Sequence, residues 1–277
     1  MEKPKKKKSG ILFYLIPVVL LTCMIIFGGL FLRDYNAYRT AEKEYEGLEQ
    51  YITELRPGET APAVPEEIVK DDAEQTPEKV PVWVPALEID HEKLRSVNRD
   101  YACVVYVPAL GIRYPVVHSH DNEDYLHHTF EGKYNYAGCI FLDCLSDGSF
   151  EEPNTFIFGH NMKNGSMFGL LKQFSTKPEL CEADPYVYIY TADTVRKYRI
   201  FAFYVTKAKS EAFDDFIGER GYDAYVKGVL ERSLYKEYDT DQIDFRQRPK
   251  LLTLSTCSGR NSGQRFLVHA AYIGESL

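Results

Sequence analysis

Leu251-Leu252-Thr253-Leu254-Ser255-Thr256-Cys257 is an apolar, β-prone run that ends on a cysteine. A polar loop rich in Gly, Ser and Asn, residues 258–264, separates it from Arg265-Phe266-Leu267-Val268, a second β-prone run opened by an arginine. The order predicts a thiol at the end of one strand and a guanidinium at the start of the next. The loop between them is short enough for the two side chains to approach. A nucleophile needs a base, and Phe156-Ile157-Phe158-Gly159-His160 supplies a histidine at the end of another apolar run. Cysteine, histidine and arginine at strand ends make a candidate acyl-transfer site.

Outward from these runs, β-prone segments recur between turn residues at 101–107, 112–117, 138–143, 154–159, 186–191, 195–206, 250–256 and 265–273. Eight short strands predict a closed barrel or a sandwich, and the 21 Tyr and 16 Phe suit a β-heavy core. Between the sixth and seventh, residues 213–238 place Phe216, Tyr222, Tyr225, Val226, Val229, Leu230 and Leu234 at helical spacing, which predicts an amphipathic helix on the outside. Asp90 is a candidate N-cap for a shorter helix that opens the folded part.

The N-terminal part has a different character. Lys3-Pro4-Lys5-Lys6-Lys7-Lys8 lies in a basic tail, residues 1–10. Residues 11–32 then run without a charge, long enough to cross a bilayer as an anchor; a cleaved signal peptide is the rival reading, disfavoured by the length of the run and the lack of a small-x-small site closing it. Positive charge before the span predicts a cytoplasmic N-terminus and an outward-facing remainder. Residues 33–85 read as a spacer, helix-prone and charged at first, then rich in Pro, Glu and Asp and disordered. The folded domain occupies 86–277. The formal charge is −8 although the tail is basic, so the rest is strongly acidic, which argues against nucleic-acid binding.

The six cysteines show no CxxC spacing, and a catalytic Cys257 has to stay unpaired. His118, His120, Asp121, His127 and His128 are close in sequence, but their spacing does not present two imidazoles on one helix face, and no metal site is expected. No cofactor signal is visible. Asp143, at the end of the third strand, is a candidate to orient His160 or an ordinary turn residue. Arg260 competes with Arg265, which is favoured because a strand end holds a side chain more rigidly than a loop does.

These residues together resemble a sortase, and more narrowly a class B sortase, over about residues 89–273. Thr253-Leu254-Ser255-Thr256-Cys257 matches the nucleophile motif, and Arg265 opens the next strand as the family arginine does. Phe158-Gly159-His160-Asn161-Met162, continuing through Gly165-Ser166-Met167-Phe168, resembles the histidine segment, with Phe158 where many relatives carry Tyr. Ile112 to Val117 and then Asp121-Asn122-Glu123-Asp124-Tyr125-Leu126, with the long helix before the seventh strand, point to class B.

The resemblance implies a mainly β fold: an eight-stranded sortase barrel with an N-terminal helical segment and a long helix between strands six and seven, behind one transmembrane helix. It implies a membrane-anchored transpeptidase of Gram-positive bacteria. Such an enzyme cuts a C-terminal sorting signal of surface proteins after Thr and joins the new end to an amine of a peptidoglycan precursor. Cys257 is then the nucleophile, His160 the proton carrier, and Arg265 either the oxyanion donor or the group that holds the substrate's carbonyls in place. Asn122, Leu126 and Ser255 match positions that line the substrate groove, with core packing the other reading of Leu126. The competing functions are a Cys-His peptidase resolved by water, a pilin-polymerising enzyme, and an inactive anchored binding module. The intact Cys257, His160 and Arg265 argue against the last, and the stretch before the barrel shows no lid motif.

Overall fold

The computed structural model describes residues 10–55, 86–213, 218–235, 243–257 and 263–276. The Lys3–Lys8 cluster, the Pro-rich stretch 57–85, Arg260, and, from the long-helix segment 213–238, Phe216 and Tyr238 lie outside them. A helix α1 (Gly10–Glu49) leads into strand β1 (Ile52–Glu54), β2 (Leu87–Ile89) and α2 (His91–Val97). The α2 start is capped as its sequence predicts, with the Asp90 carboxylate accepting from the Lys93 amide at 2.9 Å.

Eight strands follow: β3 (Tyr101–Val107), β4 (Ile112–Val117), β5 (Ile140–Leu142), β6 (Asn154–Phe158), β7 (Tyr186–Tyr190), β8 (Val195–Lys207), β9 (Leu251–Cys257) and β10 (Gln264–Ser276). They close into one barrel in the order β10-β8-β7-β3-β4-β5-β6-β9. All eight stand where the β-prone runs predict them. Short helices α3 (Gln173–Thr176) and α4 (Glu179–Ala183) fall between β6 and β7, and α5 (Gly218–Arg232) lies between β8 and β9.

The strand alternation sorts the side chains. Ile157, Leu252, Leu254, Phe266 and Val268 join Val105, Ile189 and Phe203 in the barrel interior. The opposite parity faces outward. There α5 lays Tyr222, Val226 and Val229 over Leu251, Leu267 and Ala271. It covers the beginning of β9 and leaves Cys257, at its end, half-exposed. Beneath α5 the fully buried His269 bonds through Nδ1 to the Thr253 hydroxyl at 2.9 Å and through Nε2 to the Tyr204 hydroxyl at 3.2 Å. Burial pushes this imidazole down to about 3, so it is a neutral polar tie between β8, β9 and β10.

One expectation is corrected. Residues 33–54 are not a spacer apart from the barrel, because α1 continues unbroken from the apolar run and docks. Ala41, Glu44 and Leu48 are buried, with Ala37, Tyr38 and Tyr45 half-buried on the same stripe. Tyr38 meets Tyr136 edge-on at 5.3 Å and Tyr45 meets Tyr114 at 5.0 Å. The Tyr45 hydroxyl donates to Cys139 Sγ at 3.4 Å, and the Asn135 amide donates to the Ala37 carbonyl at 2.9 Å. β1 then pairs with β2, Ile52 opposite Ile89. The stripe was faint in sequence because its central member is a glutamate.

That glutamate clamps the loop after residue 128. Its side chain is 2% exposed. Its carboxylate accepts from the Thr129 hydroxyl at 2.9 Å and from the Glu131 amide at 2.8 Å. Glu44→Ala leaves both donors without their acceptor and should cost about 1–3 kcal/mol in denaturant unfolding, with Glu44→Gln milder. Equal midpoints for wild type and Glu44→Ala would remove the clamp from the account.

Candidate active site

Strand pairing brings the predicted trio together. β9 and β10 are antiparallel with Cys257 directly opposite Arg265, a pairing that holds the two Cα atoms about 5 Å apart. On the other side of β9 lies β6, and this pair is parallel, with Phe158 beside Ser255. The Gly159 amide extends the ladder to the Ser255 carbonyl at 3.1 Å, which carries His160 to the level of Cys257. Phe156, Phe158 and His160 share the parity of Thr253, Ser255 and Cys257, so all three candidate groups emerge on the outer face. Gly159 is needed at the crossing. A Cβ there would stand 2.4 Å from Ile140 Cδ1 and 2.9 Å from the Phe168 ring.

His160 Nε2 lies 2.9 Å from the Leu126 carbonyl. A carbonyl only accepts, so Nε2 carries the proton and Nδ1 is assigned as the basic nitrogen. This carbonyl is the orienting group that the side-chain sequence could not reveal. It is set by a turn that closes on Gly138, whose φ is +59° and whose absent Cβ would fall 2.5 Å from the Tyr125 carbonyl oxygen and 2.8 Å from that of Leu126. Burial pushes the His160 pKa below its ordinary value. The Leu126 hydrogen bond acts the other way, and the positive fields of His127 and Arg265 add to the lowering.

Asp143 does not orient His160. Its carboxylate accepts from the Asn122 amide at 2.8 Å and from the Leu145 amide at 3.2 Å, and its own amide bonds to the Phe156 carbonyl. Asn122 in turn accepts from the Cys144 amide at 2.8 Å. Asn122 and Asp143 are thus tied to each other at the level of Phe156, about 13 Å along the strand from His160. Ser255 sits beside Phe158, 1% exposed, and its hydroxyl has no hydrogen-bond partner among the described residues. Leu126 is half-buried and packs with Phe158 and Phe141 in a second cluster. A row of rings leads along this face: Phe141 to Phe158 at 5.5 Å, Phe158 to Phe156 at 6.2 Å, and Phe156 to Phe213 at 5.7 Å.

The other thiols are placed differently. Cys103, Cys139 and Cys181 are buried. Burial pushes Cys139 and Cys181 up to about 12, far from the thiolate range at neutral pH. Cys144 is half-exposed, on the loop after β5. Two of the histidines near residue 120 are engaged with neighbouring carboxylates. His128 Nδ1 meets Asp124 Oδ1 at 2.8 Å, and His120 Nε2 meets Asp121 at 3.2 Å. Among the described residues, no group of three His, Cys, Asp or Glu side chains is gathered as a metal site.

Comparison with known proteins adds an independent finding. The sortase domain family matches residues 105–273. Sortase B of Listeria monocytogenes is 32% identical over 165 residues, 59% of this chain and 65% of its own length, so the match spans just under two thirds of that relative. Sortase B of Staphylococcus aureus is 22% identical over 251 residues, 88% of each chain. The X-ray structure of Clostridium perfringens sortase B superposes with a TM-score of 0.61 at 31% identity, covering 67% of this chain and 100% of that one.

Proposed function

The chain belongs to the sortase family of cysteine transpeptidases, and we propose that it is a membrane-anchored member that cuts sorting signals of surface proteins after Thr and passes the acyl group to a cell-wall amine. The observation that carries the reading is the register of β9: Arg265 opposite Cys257 on one side, His160 beside it on the other. Residues 11–32 serve as the anchor, with the N-terminus cytoplasmic and the barrel outside.

In this mechanism Cys257 gives its proton to His160 Nδ1, and the sulfur attacks the threonine carbonyl carbon. The guanidinium of Arg265 donates to the oxyanion that forms. The carbon–nitrogen bond breaks, His160 protonates the leaving amine, and a thioacyl enzyme remains. An incoming amine loses its proton to His160 and attacks the thioester, releasing Cys257. The unpartnered Ser255 hydroxyl gives the bound peptide a hydrogen-bonding group in a wall otherwise built of Phe156, Phe158 and Leu126. Asn122 shapes that wall by holding the 143–144 turn.

The test is product analysis. Quenched peptides bearing sortase-type signals are incubated with and without triglycine, and products are read by mass spectrometry. An amine-linked product cut after Thr supports transfer. Free acid alone, with excess triglycine and with a peptidoglycan-derived amine, overturns it in favour of hydrolysis. Arg265→Lys keeps the charge but loses the forked donor geometry, and should lower kcat about 10²-fold with KM little changed. A lysine variant at wild-type rate would show that charge alone suffices and that the oxyanion role is misassigned.

A further inference from the structure

We propose that the loop 133–136 of the barrel rests in the headgroup layer of the bilayer that α1 crosses, so that the catalytic domain is seated on the membrane surface. This rests on reading residues 11–32 as the anchor. The partner is a lipid surface, and the argument is one of length. From Tyr14 through Leu32 the large apolar side chains of α1 are exposed, and no described part of the barrel covers them. Among the described residues, contacts between the helix and the barrel are made at Ala37, whose carbonyl accepts from Asn135 at 2.9 Å, and at Tyr38, which packs on Tyr136. Ala37 is five residue steps beyond Leu32, about 7.5 Å of helical rise. A headgroup layer is about 5–8 Å deep on each side. The helix runs unbroken through this interval, so no hinge lifts the barrel away.

The residues at that depth have the chemistry of an interface. Tyr134 is 78% exposed and Tyr35 is 47% exposed, amphipathic rings of the kind enriched where acyl chains meet water. Tyr134 is held in place, with its ring 6.2 Å from that of His127 and 5.8 Å from that of His128. Lys133 beside it is 60% exposed. His127 follows Leu126 directly, so the surface that meets lipid is continuous with the turn that orients His160. The site therefore works at the bilayer, within reach of substrates that are themselves tethered there.

The experiment uses single tryptophans in the full chain. Trp83 is the chain's one tryptophan, and in a Trp83→Phe background Tyr134→Trp, Leu21→Trp and Thr53→Trp are each placed in phosphatidylcholine nanodiscs. Some discs carry lipid brominated near the headgroup end of the acyl chain, and others lipid brominated near its methyl end, the depth of Leu21 at mid-span. Tyr134→Trp should lose emission in the discs brominated at the headgroup end, as an interfacial residue does, while Thr53→Trp, beyond the far end of α1, keeps its own. Quenching at Leu21 without quenching at Tyr134 overturns the seating and leaves the anchor standing. Absence of quenching at Leu21 by the methyl-end bromines overturns the anchor itself. Equal quenching at Thr53 and Tyr134 also overturns the seating, since it reports contact without orientation.

Discussion

Cys257→Ala is expected to lower kcat/KM for sorting-signal cleavage by about 10⁴-fold or more while the unfolding free energy stays within about 0.5 kcal/mol of wild type. The two halves of the expectation have separate causes. The thiol is the atom that forms the thioester, so its loss removes the covalent route and leaves only positioning by Arg265 and the groove. The side chain is half-exposed at a strand end, outside the barrel interior and beyond the cover of α5, so its packing contribution is small. Cys144 is the internal comparison, being the domain's other half-exposed thiol among the described residues. It lies beyond the end of β5 that faces away from His160. A thiol-reactive peptide analogue should mark Cys257 in wild type and in Cys144→Ala, and should mark neither position in Cys257→Ala. Labelling of Cys144 at a comparable rate, or cleavage by Cys257→Ala within tenfold of wild type, would move the nucleophile elsewhere.

The elements that sequence reveals here are those whose physics is local. Each barrel strand is a β-branched or aromatic run bounded by turn residues, so its existence can be read from a few neighbours. Cys257, His160 and Arg265 stand out because their residue types occur at the ends of such runs. The parallel pairing of β6 with β9 is different. It joins segments nearly a hundred residues apart, and it is what turns two strand ends into one site. The family resemblance supplied that closure, since no local pattern encodes it. The docking of α1 escaped because its contact stripe is Ala41, Glu44 and Leu48, with the glutamate satisfied by a loop far along the chain. β1 and β2 escaped because three residues carry no periodicity. The partner of His160 escaped for a more basic reason: a backbone carbonyl has no residue type. Asp143 was the available carboxylate, but it lies at the level of Phe156, four residues before His160, with its Oδ1 accepting from Asn122 and Leu145.

His160→Ala is the second large expectation, a loss of about 10³-fold in kcat, the scale of a positioned proton carrier. The pH profile tests the chemistry behind it. Burial lowers the pKa of His160 from its ordinary value near 6.5, and the fields of His127 and Arg265 lower it further. The neutral imidazole is the competent base, so kcat/KM should rise with pH through an acidic limb whose midpoint lies below about 6.5. His127→Gln removes one of the cationic influences and should move that midpoint upward, toward the ordinary value. Gly138→Ala acts on orientation instead. The new methyl would stand 2.8 Å from the Leu126 oxygen, at a φ of +59° that alanine resists. The carbonyl must then shift off Nε2, and the imidazole loses the contact that fixes its tautomer. A displacement of this size should cost about 10²-fold in kcat, with KM for the peptide nearly unchanged. The limb should also fall to lower pH, because the hydrogen bond that favours the charged imidazole is lost. A Gly138→Ala enzyme with reduced stability but an unmoved limb would make the turn merely structural. One with a lower limb and wild-type peptide affinity places the Leu126 carbonyl in the catalytic machinery, acting through His160.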